Sequence, residues 1–222
     1  MTEHATPRPP GPLPDVASAV LVVPPPAPGR GNWAGAPSAL LSEGTYYLAY
    51  RMRRPGTGDR GYAVVIASSP DGVDFTTVAV LDKSAFGAES LERPALVRLP
   101  DGRWRIYVSC ATPGSFHWWV EAIDAPDPAA FGTGTRERSL PGDGETAIKD
   151  PVVLLLDGTW LLWACCHPLT DPEQTDRMYS SFARSDDGIT WQFDHADLRG
   201  TPGAWDARGA RIGRASCRER VS

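Results

Sequence analysis

Glu92, Asp150 and Asp206 are three carboxylates that return at near-equal intervals along the chain, each beside basic residues: Arg93, Lys149 and Arg208. Two carboxyl groups facing each other across about 5 to 9.5 Å can cleave an acetal, one protonating the leaving oxygen while the other activates water or attacks carbon. Arginine adds a planar fork of donors for hydroxyl or carboxylate oxygens. Trp33, His117 and Trp118 add flat rings on which the C–H face of a polyhydroxylated ligand can lie. Charge at the head of an apolar segment requires a partner, because unpaired buried charge is costly. Mutual pairing, such as Arg93 with Asp150, is one solution, and a polar substrate is another.

Residues so far apart meet only if a repeated element carries them to one place. Three segments open with a residue pair before proline and continue as an apolar strand and a turn: Gly35-Ala36-Pro37, Glu92-Arg93-Pro94 and Lys149-Asp150-Pro151, the prolines 57 residues apart both times. A further step of 57 reaches Arg208, within Trp205-Asp206-Ala207-Arg208-Gly209, which reads as a fourth opening with proline replaced. After turns at Gly44, Gly102 and Gly158 come aromatic-rich second strands (TYYLAYRM, RWRIYVSC, TWLLWACC) and then third strands (GYAVVIAS, HWWVEAID, MYSSFARS). Each unit next has a turn built on Asp71, Asp127 or Asp187 that leads to Phe75, Phe131 or Trp191. Asp suits such a turn because its carboxylate accepts nearby backbone N–H groups, and Gly because it accepts positive φ. Four strands in about 57 residues describe a β-propeller blade, in which the first strand lines a central shaft. No segment carries the 3.6-residue apolar period of a helix over three turns, which argues against a repeated αβ unit.

The expected fold class is therefore all-β: a propeller of four-stranded antiparallel blades, with about three blades and the first strand of a fourth present. At the shaft mouth this reading places Trp33 and Gly35, Glu92 and Arg93, Lys149 and Asp150, and Asp206 and Arg208. Arg51, ending the second strand in YRMRR, either reaches the shaft or caps the blade. Trp118 and Trp119 alternate on a regular strand, so one of them at most meets a ligand. Trp104, Trp160 and Trp163 are expected to pack between blades.

In 222 residues, 41% hydrophobic and 22% charged, Gly and Pro number 22 each, a composition suited to short strands and tight turns. The net charge of −5 offers no electrostatic reason for nucleic acid or an anionic membrane surface as partner. No apolar run approaches the roughly 20 residues that span a bilayer. Residues 1–14 read as a disordered Pro-rich segment, and 15–211 as the partial propeller. The apolar stretch Val16–Val23, without a cationic segment before it, reads as an edge or closing strand rather than a signal peptide. Cys110, Cys165 and Cys166 do not make a secreted disulfide framework and are expected as buried thiols of a cytoplasmic protein. The Cys-Cys-His run at 165–167 lacks metal-ligand spacing, so His167 reads as structural. No nucleotide fingerprint or Ser-His-Asp pattern stands out, and neither cofactor nor metal is expected. Residues 212–222 break every earlier pattern. Ile212–Val221, IGRASCRERV, resembles the conceptual translation of a common sequencing adapter, so this tail is expected to be non-native.

The Asp150-Pro151 strand head and the Ser-x-Asp-Gly-x-x-Trp/Phe turns, at regular spacing over about residues 32–211, resemble the five-bladed propeller glycoside hydrolases of the arabinanase, levansucrase and invertase group, including families 43 and 32. Five blades at this period would take about 285 residues, so the resemblance implies a truncated ring, poorly stable or inactive alone. It implies a carbohydrate ligand and cleavage of a small glycoside or oligosaccharide by carboxylate acid/base catalysis in the full-length protein. By position, Asp150 matches the family Asp-Pro that tunes the acid or stabilises the transition state. Glu92 is then the acid or a ligand of sugar hydroxyls, and Asp206 a further carboxylate. The family also places an Asp on the first blade, where this chain reads NWAGAPS without a carboxylate. Two alternatives stay open: a sugar-binding propeller without catalysis, and a protein-interaction propeller.

Overall fold

The computed structural model describes residues 16–56, 59–171, 177–194 and 197–212. Among these, twelve strands form three four-stranded antiparallel sheets, each a simple meander. Blade 1 holds β1 (Trp33–Ser42), β2 (Thr45–Arg53), β3 (Ala63–Ser69) and β4 (Thr76–Asp82). Blade 2 holds β5 (Leu91–Arg98), β6 (Trp104–Ala111), β7 (Trp118–Ala125) and β8 (Thr135–Leu140). Blade 3 holds β9 (Thr146–Leu156), β10 (Thr159–Pro168), β11 (Tyr179–Ser185) and the short β12 (Gln192–Phe193). The expected second and third strands all form. The β1–β2 and β9–β10 hairpins turn on Glu43-Gly44 and Asp157-Gly158, with positive φ at both residues of each pair, the twist that matches two-residue antiparallel hairpins.

The sheets stack face to face, so the middle strand of the stack is buried on both sides: every residue of β6 is buried. Between blades 1 and 2 lie Val64, Ile66, Leu81, Trp104, Ile106 and Phe131; between blades 2 and 3 lie Val97, Tyr107, Leu140, Val153, Trp160 and Leu162. Trp104 and Trp160 thus pack as expected, whereas Trp163 stacks on Phe182 within blade 3, the ring centroids 4.9 Å apart. Cys110, Cys165 and Cys166 are buried free thiols.

The first strands converge. Pro37, Pro94 and Pro151, with Ser38, Arg93, Ala95, Val152 and Val153, line one cavity of 150 Å³ at the shaft. Each first strand also carries a bulge at its proline motif, where two residues oppose one on the second strand: Ala36-Pro37 against Tyr50, Glu92-Arg93 against Ser109, and Asp150-Pro151 against Ala164. Proline lacks a ladder donor, so a bulge is where a strand tolerates it, and the bulge re-aims the neighbouring side chains.

The Asp turns lock one blade to the one before. In blade 3, Asp187 Oδ1 accepts the N–H groups of Ile189 (2.7 Å) and Thr190 (2.8 Å), and the Ser185 hydroxyl donates to it at 2.8 Å. The carbonyls of this turn then receive donors from blade 2: Arg105 Nη1 on Asp187 O at 2.7 Å and Tyr107 Oη on Gly188 O at 2.7 Å. Arg105 is aimed by Asp124, which takes its Nε and Nη2 at 2.6 and 2.9 Å. In blade 2, Asp127 caps a 3-10 helix, Pro128–Thr133, which inserts the fully buried Phe131 into the core shared with blade 1. The blade 1 turn repeats the blade 3 bonding, with Asp71 Oδ1 accepting from Val73 and Asp74 N–H at 2.9 Å each.

Two further expectations do not hold. Val16–Val23 makes no strand: Val16–Ser18 is a 3-10 turn, and Val23 packs from a loop against Tyr50, Val65 and Ala67. Residues 205–209 do not open a fourth blade. They form successive turns, with Ala207 N–H donating to Ala204 O and Gly209 N–H to Asp206 O, and the segment lies beside the start of β11 through Ser180–Leu198 and Met178–Gly209 bridges. Equal spacing was a poor guide there because hydrogen bonds local to the loop outcompete extension. The proposed disordered segment 1–14 and all of the 212–222 tail except Ile212 lie outside the described residues.

Gly188 has φ +71°, and a Cβ there would sit 2.7 Å from the Trp160 ring; Gly102 has φ +86°, but its Cβ would meet only the Arg98 side chain, at 3.6 Å. Gly102→Ala should therefore cost about 1 kcal/mol of backbone strain, and Gly188→Ala a further ~1–3 kcal/mol from the clash, read as urea unfolding midpoints; equal midpoints would refute the docking role. Backbone N–H bonds hold the exposed Asp71 at about pKa 2. For Asp187 desolvation works the other way, yet the Ile189 and Thr190 N–H groups and the Ser185 hydroxyl outweigh it and also hold it near 2. Both carboxylates titrate near 3.9 when unfolded, so their contribution is present above that pH and is lost as pH falls toward 2. The Asp71→Asn/Asp187→Asn double variant should show a shallower loss of thermal midpoint between pH 5 and 2 than the parent chain.

Candidate functional site

At the shaft mouth the side chains of all three blades meet through charge. Arg51, at the end of β2, is buried and pairs through Nη1 with Glu92 Oε2 on β5, which joins blade 1 to blade 2. The other Glu92 oxygen takes the Ser90 hydroxyl at 3.2 Å and faces Arg60 Nη2 at 3.8 Å. The ring of Trp33 lies against the Arg51 guanidinium, 4.6 Å from its carbon. Gly35 makes room for this ring, since a Cβ there would fall 2.7 Å from it. Burial pushes the Arg51 pKa down to about 10; Asp150 opposes that shift, while Arg53, Arg60 and Arg93 add to it.

Asp150 links blade 2 to blade 3. Its backbone N–H donates to the Ser109 hydroxyl at 2.9 Å, and its Oδ1 accepts the backbone N–H of Arg93 at 3.2 Å. The residue sits at φ +53° before Pro151, a region uncommon for non-glycine residues and cheapest for Asp and Asn. Such strain persists only where the surroundings over-determine it, and it clusters at ligand sites. The guanidinium of Arg93 does not pair with Asp150, as mutual pairing would require; its Nη1 donates to Ile212 O at 3.5 Å, and the cation beside Asp150 is Arg211, with Nη1 3.6 Å from Oδ2.

Lys149 is buried with its ammonium 4.3 Å from the centroid of Trp118, whose ring lies 5.2 Å from that of His167. Trp119, on the opposite face of β7, is buried and donates to Glu121 Oε1 at 2.8 Å, so of the two only Trp118 belongs to this cluster. His167 is buried with Nε2 3.7 Å from Cys165 Sγ. His117 caps its own loop, Nδ1 2.8 Å from Thr112 Oγ1.

Thus the structure gathers Trp33, Glu92, Arg93, Lys149, Asp150 and Trp118 as the repeat requires. It does not bring Asp206 there through a first strand: that carboxylate accepts from Thr201 N–H at 3.3 Å within its own loop. Arg208 lies on the same loop, where its carbonyl accepts the N–H of Met178. The sequence pattern does not single out Arg60 or Arg211 and leaves two roles open for Arg51, which the structure brings to the mouth against Glu92. Arg60 arrives on the β2–β3 connection and Arg211 from beyond β12, outside the first-strand rule; the YRMRR run was the one available signal. No group of three or more His, Cys, Asp or Glu residues that could hold a metal occurs among the described residues.

The position two repeats before Asp150 is Ala36, which has the same backbone conformation, φ +52°, and also precedes proline. Blade 1 therefore presents a methyl group where blade 3 presents a carboxylate.

No protein-family model matches the chain, and no curated protein sequence does. Solved structures do. A thermostable family-43 glycoside hydrolase superposes with TM-score 0.55 at 15% identity, over 77% of this chain and 54% of its own. A family-43 enzyme from Xanthomonas citri complexed with xylose gives TM-score 0.55 at 14% identity, over 76% and 55%. The Bombyx mori family-32 β-fructofuranosidase gives 0.51 at 15%, over 73% and 37%. The chain spans about half the length, or less, of these neighbours, and its three blades have the propeller fold of the family-43 and family-32 glycoside hydrolases.

Proposed function

We propose that the mouth of this propeller binds a small glycoside or oligosaccharide and that Asp150 is the carboxylate that meets the reacting centre. The observation that carries this reading is the strained, doubly anchored Asp150 at the convergence of three first strands. Its backbone is held by Ser109 and its carboxylate by the Arg93 N–H, so one oxygen is fixed while the other faces the mouth cations. Glu92, paired with Arg51, serves as an acceptor for sugar hydroxyls and orients the ligand. Trp33 and Trp118 flank the site with apolar ring faces. In the acid/base scheme Asp150 is the base or transition-state stabiliser, and Glu92, already committed to Arg51, is the ligand-orienting carboxylate.

Ala36 favours a second reading, sugar binding without cleavage, because the first blade brings no carboxylate to the equivalent place. A panel of aryl glycosides, assayed beside calorimetry with the matching free sugars, separates the two. If the chain cleaves, Asp150→Asn should lower turnover by about 100-fold or more and change sugar affinity only a few-fold. Heat of binding without turnover selects the second reading. An Asp150→Asn chain equal to the parent in both measurements removes Asp150 from the site.

A further inference from the structure

The charges at the mouth do not balance. Arg51 neutralises Glu92, and Arg211 stands 3.6 Å from Asp150. Lys149, Arg60 and Arg93 remain, with Arg53 close enough to Arg51 to lower its pKa. This excess of positive charge sits on a chain whose overall charge is −5, so composition does not account for it.

Two of these cations are buried well beyond what solvated side chains accept. Lys149 is 4% exposed, and its ammonium makes no hydrogen bond or ion pair to a described residue; its close neighbour is the Trp118 face. Burial lowers its pKa, with Asp150 opposing and Arg211 and Arg60 reinforcing the effect. Arg51 is 9% exposed, and its Nε is a buried donor with no acceptor among the described residues; Trp118 Nε1 is another. Buried donors without acceptors are rare in folded proteins, and the two on residues of this cluster, Arg51 Nε and Trp118 Nε1, point to acceptors that come from outside the chain. Neutral hydroxyls would satisfy the hydrogen bonds and leave the charge uncompensated. An oxyanion satisfies both.

We propose that the sugar bound at this mouth carries an oxyanion, a carboxylate or a phosphate, held by Lys149 with Arg60 and Arg93 around it. This deepens the sugar-binding reading and rests on it. Glu92 and Asp150 do not repel such a group, since each already has its own arginine. A compact ammonium accommodates either anion, whereas the arginine forks favour planar, bidentate contact.

The test is calorimetry on the whole chain with three probes: methyl galactoside, methyl galacturonide and galactose 6-phosphate. At least one anionic probe should bind tenfold or more tightly than the neutral glycoside. That advantage should shrink as salt rises from 50 to 500 mM, as expected for partly exposed charges. The carboxylate and phosphate arms show which anion the site takes. In Lys149→Met, which keeps an unbranched stem against Trp118, the anionic advantage should fall toward unity. Arg211→Ala, at an exposed side chain, gives a variant that keeps the fold if burial at 149 proves too sensitive; freeing Asp150 of its cation should also reduce the advantage. Neutral and anionic probes binding equally well would overturn the oxyanion proposal and leave the sugar-binding reading standing. Failure of all three to bind would overturn both. A preference that survives in both variants would overturn the assignment to this cluster.

Discussion

The hydroxyl of Ser109, fully buried on the second strand of blade 2, is the point from which the mouth is built. It donates to Arg93 O at 3.2 Å and accepts the Asp150 N–H at 2.9 Å, so one oxygen joins β6 to the first strands of two blades. An acceptor on a neighbouring blade lets the Asp150 backbone leave its own ladder and take positive φ. That conformation in turn brings the carboxylate onto the Arg93 N–H. Blade 1 meets blade 2 by an analogous device, Ser38 Oγ accepting from Leu96 N–H at 2.9 Å. Small hydroxyl side chains at these places allow the close approach of strands that larger residues would prevent. The charged groups are thus positioned by neutral hydrogen bonds, which hold the geometry without depending on ionic strength.

Much of this was legible in the sequence because the informative residues are those with backbone consequences. Pro37, Pro94 and Pro151 mark bulges, and Asp71, Asp127 and Asp187 mark turns whose chemistry is local, so their spacing reports the blade directly. The convergence of Glu92, Arg93, Lys149 and Asp150 follows once the first strands are known. What was not legible came from other elements. Arg51 reaches the mouth because β2 runs antiparallel to β1 and ends where β1 begins, so its final residues share the rim with Trp33 and Gly35. Arg60 and Arg211 come from connections whose paths no periodicity encodes. Asp206 failed for the opposite reason: the interval was right, but short-range N–H acceptors in the 197–209 loop gave that stretch a more local way to satisfy its backbone. The pairing expected between Arg93 and Asp150 is present in a different form, through a main-chain donor.

The comparison with family-43 and family-32 enzymes supports the arrangement of blades and separates it from the chemistry. Propellers hold many kinds of site on one scaffold, so the site must be judged by its own residues. Here those residues are one strained carboxylate, one carboxylate committed to an arginine, a methyl where a third could stand, and a surplus of cations that includes the buried Lys149. That set differs from a symmetric pair of acids, and its electrostatics favour a ligand that brings negative charge.

The interlocking of turns with preceding blades gives the stack a direction. The blade 3 turn is seated on Arg105 and Tyr107, and the blade 2 helix on the blade 1 core, whereas the blade 1 turn has Tyr46 beneath it and leaves Tyr46, Val73 and Val80 exposed. In a linear array with nearest-neighbour coupling, a unit clasped from both sides borrows stability from each, and a unit at either end borrows from one. Among the described blades, blade 2 is the one clasped from both sides, and it supplies Glu92 and the Ser109 hydroxyl that hold the mouth together. The electrostatic site is consequently anchored on the blade that has neighbours gripping both of its faces.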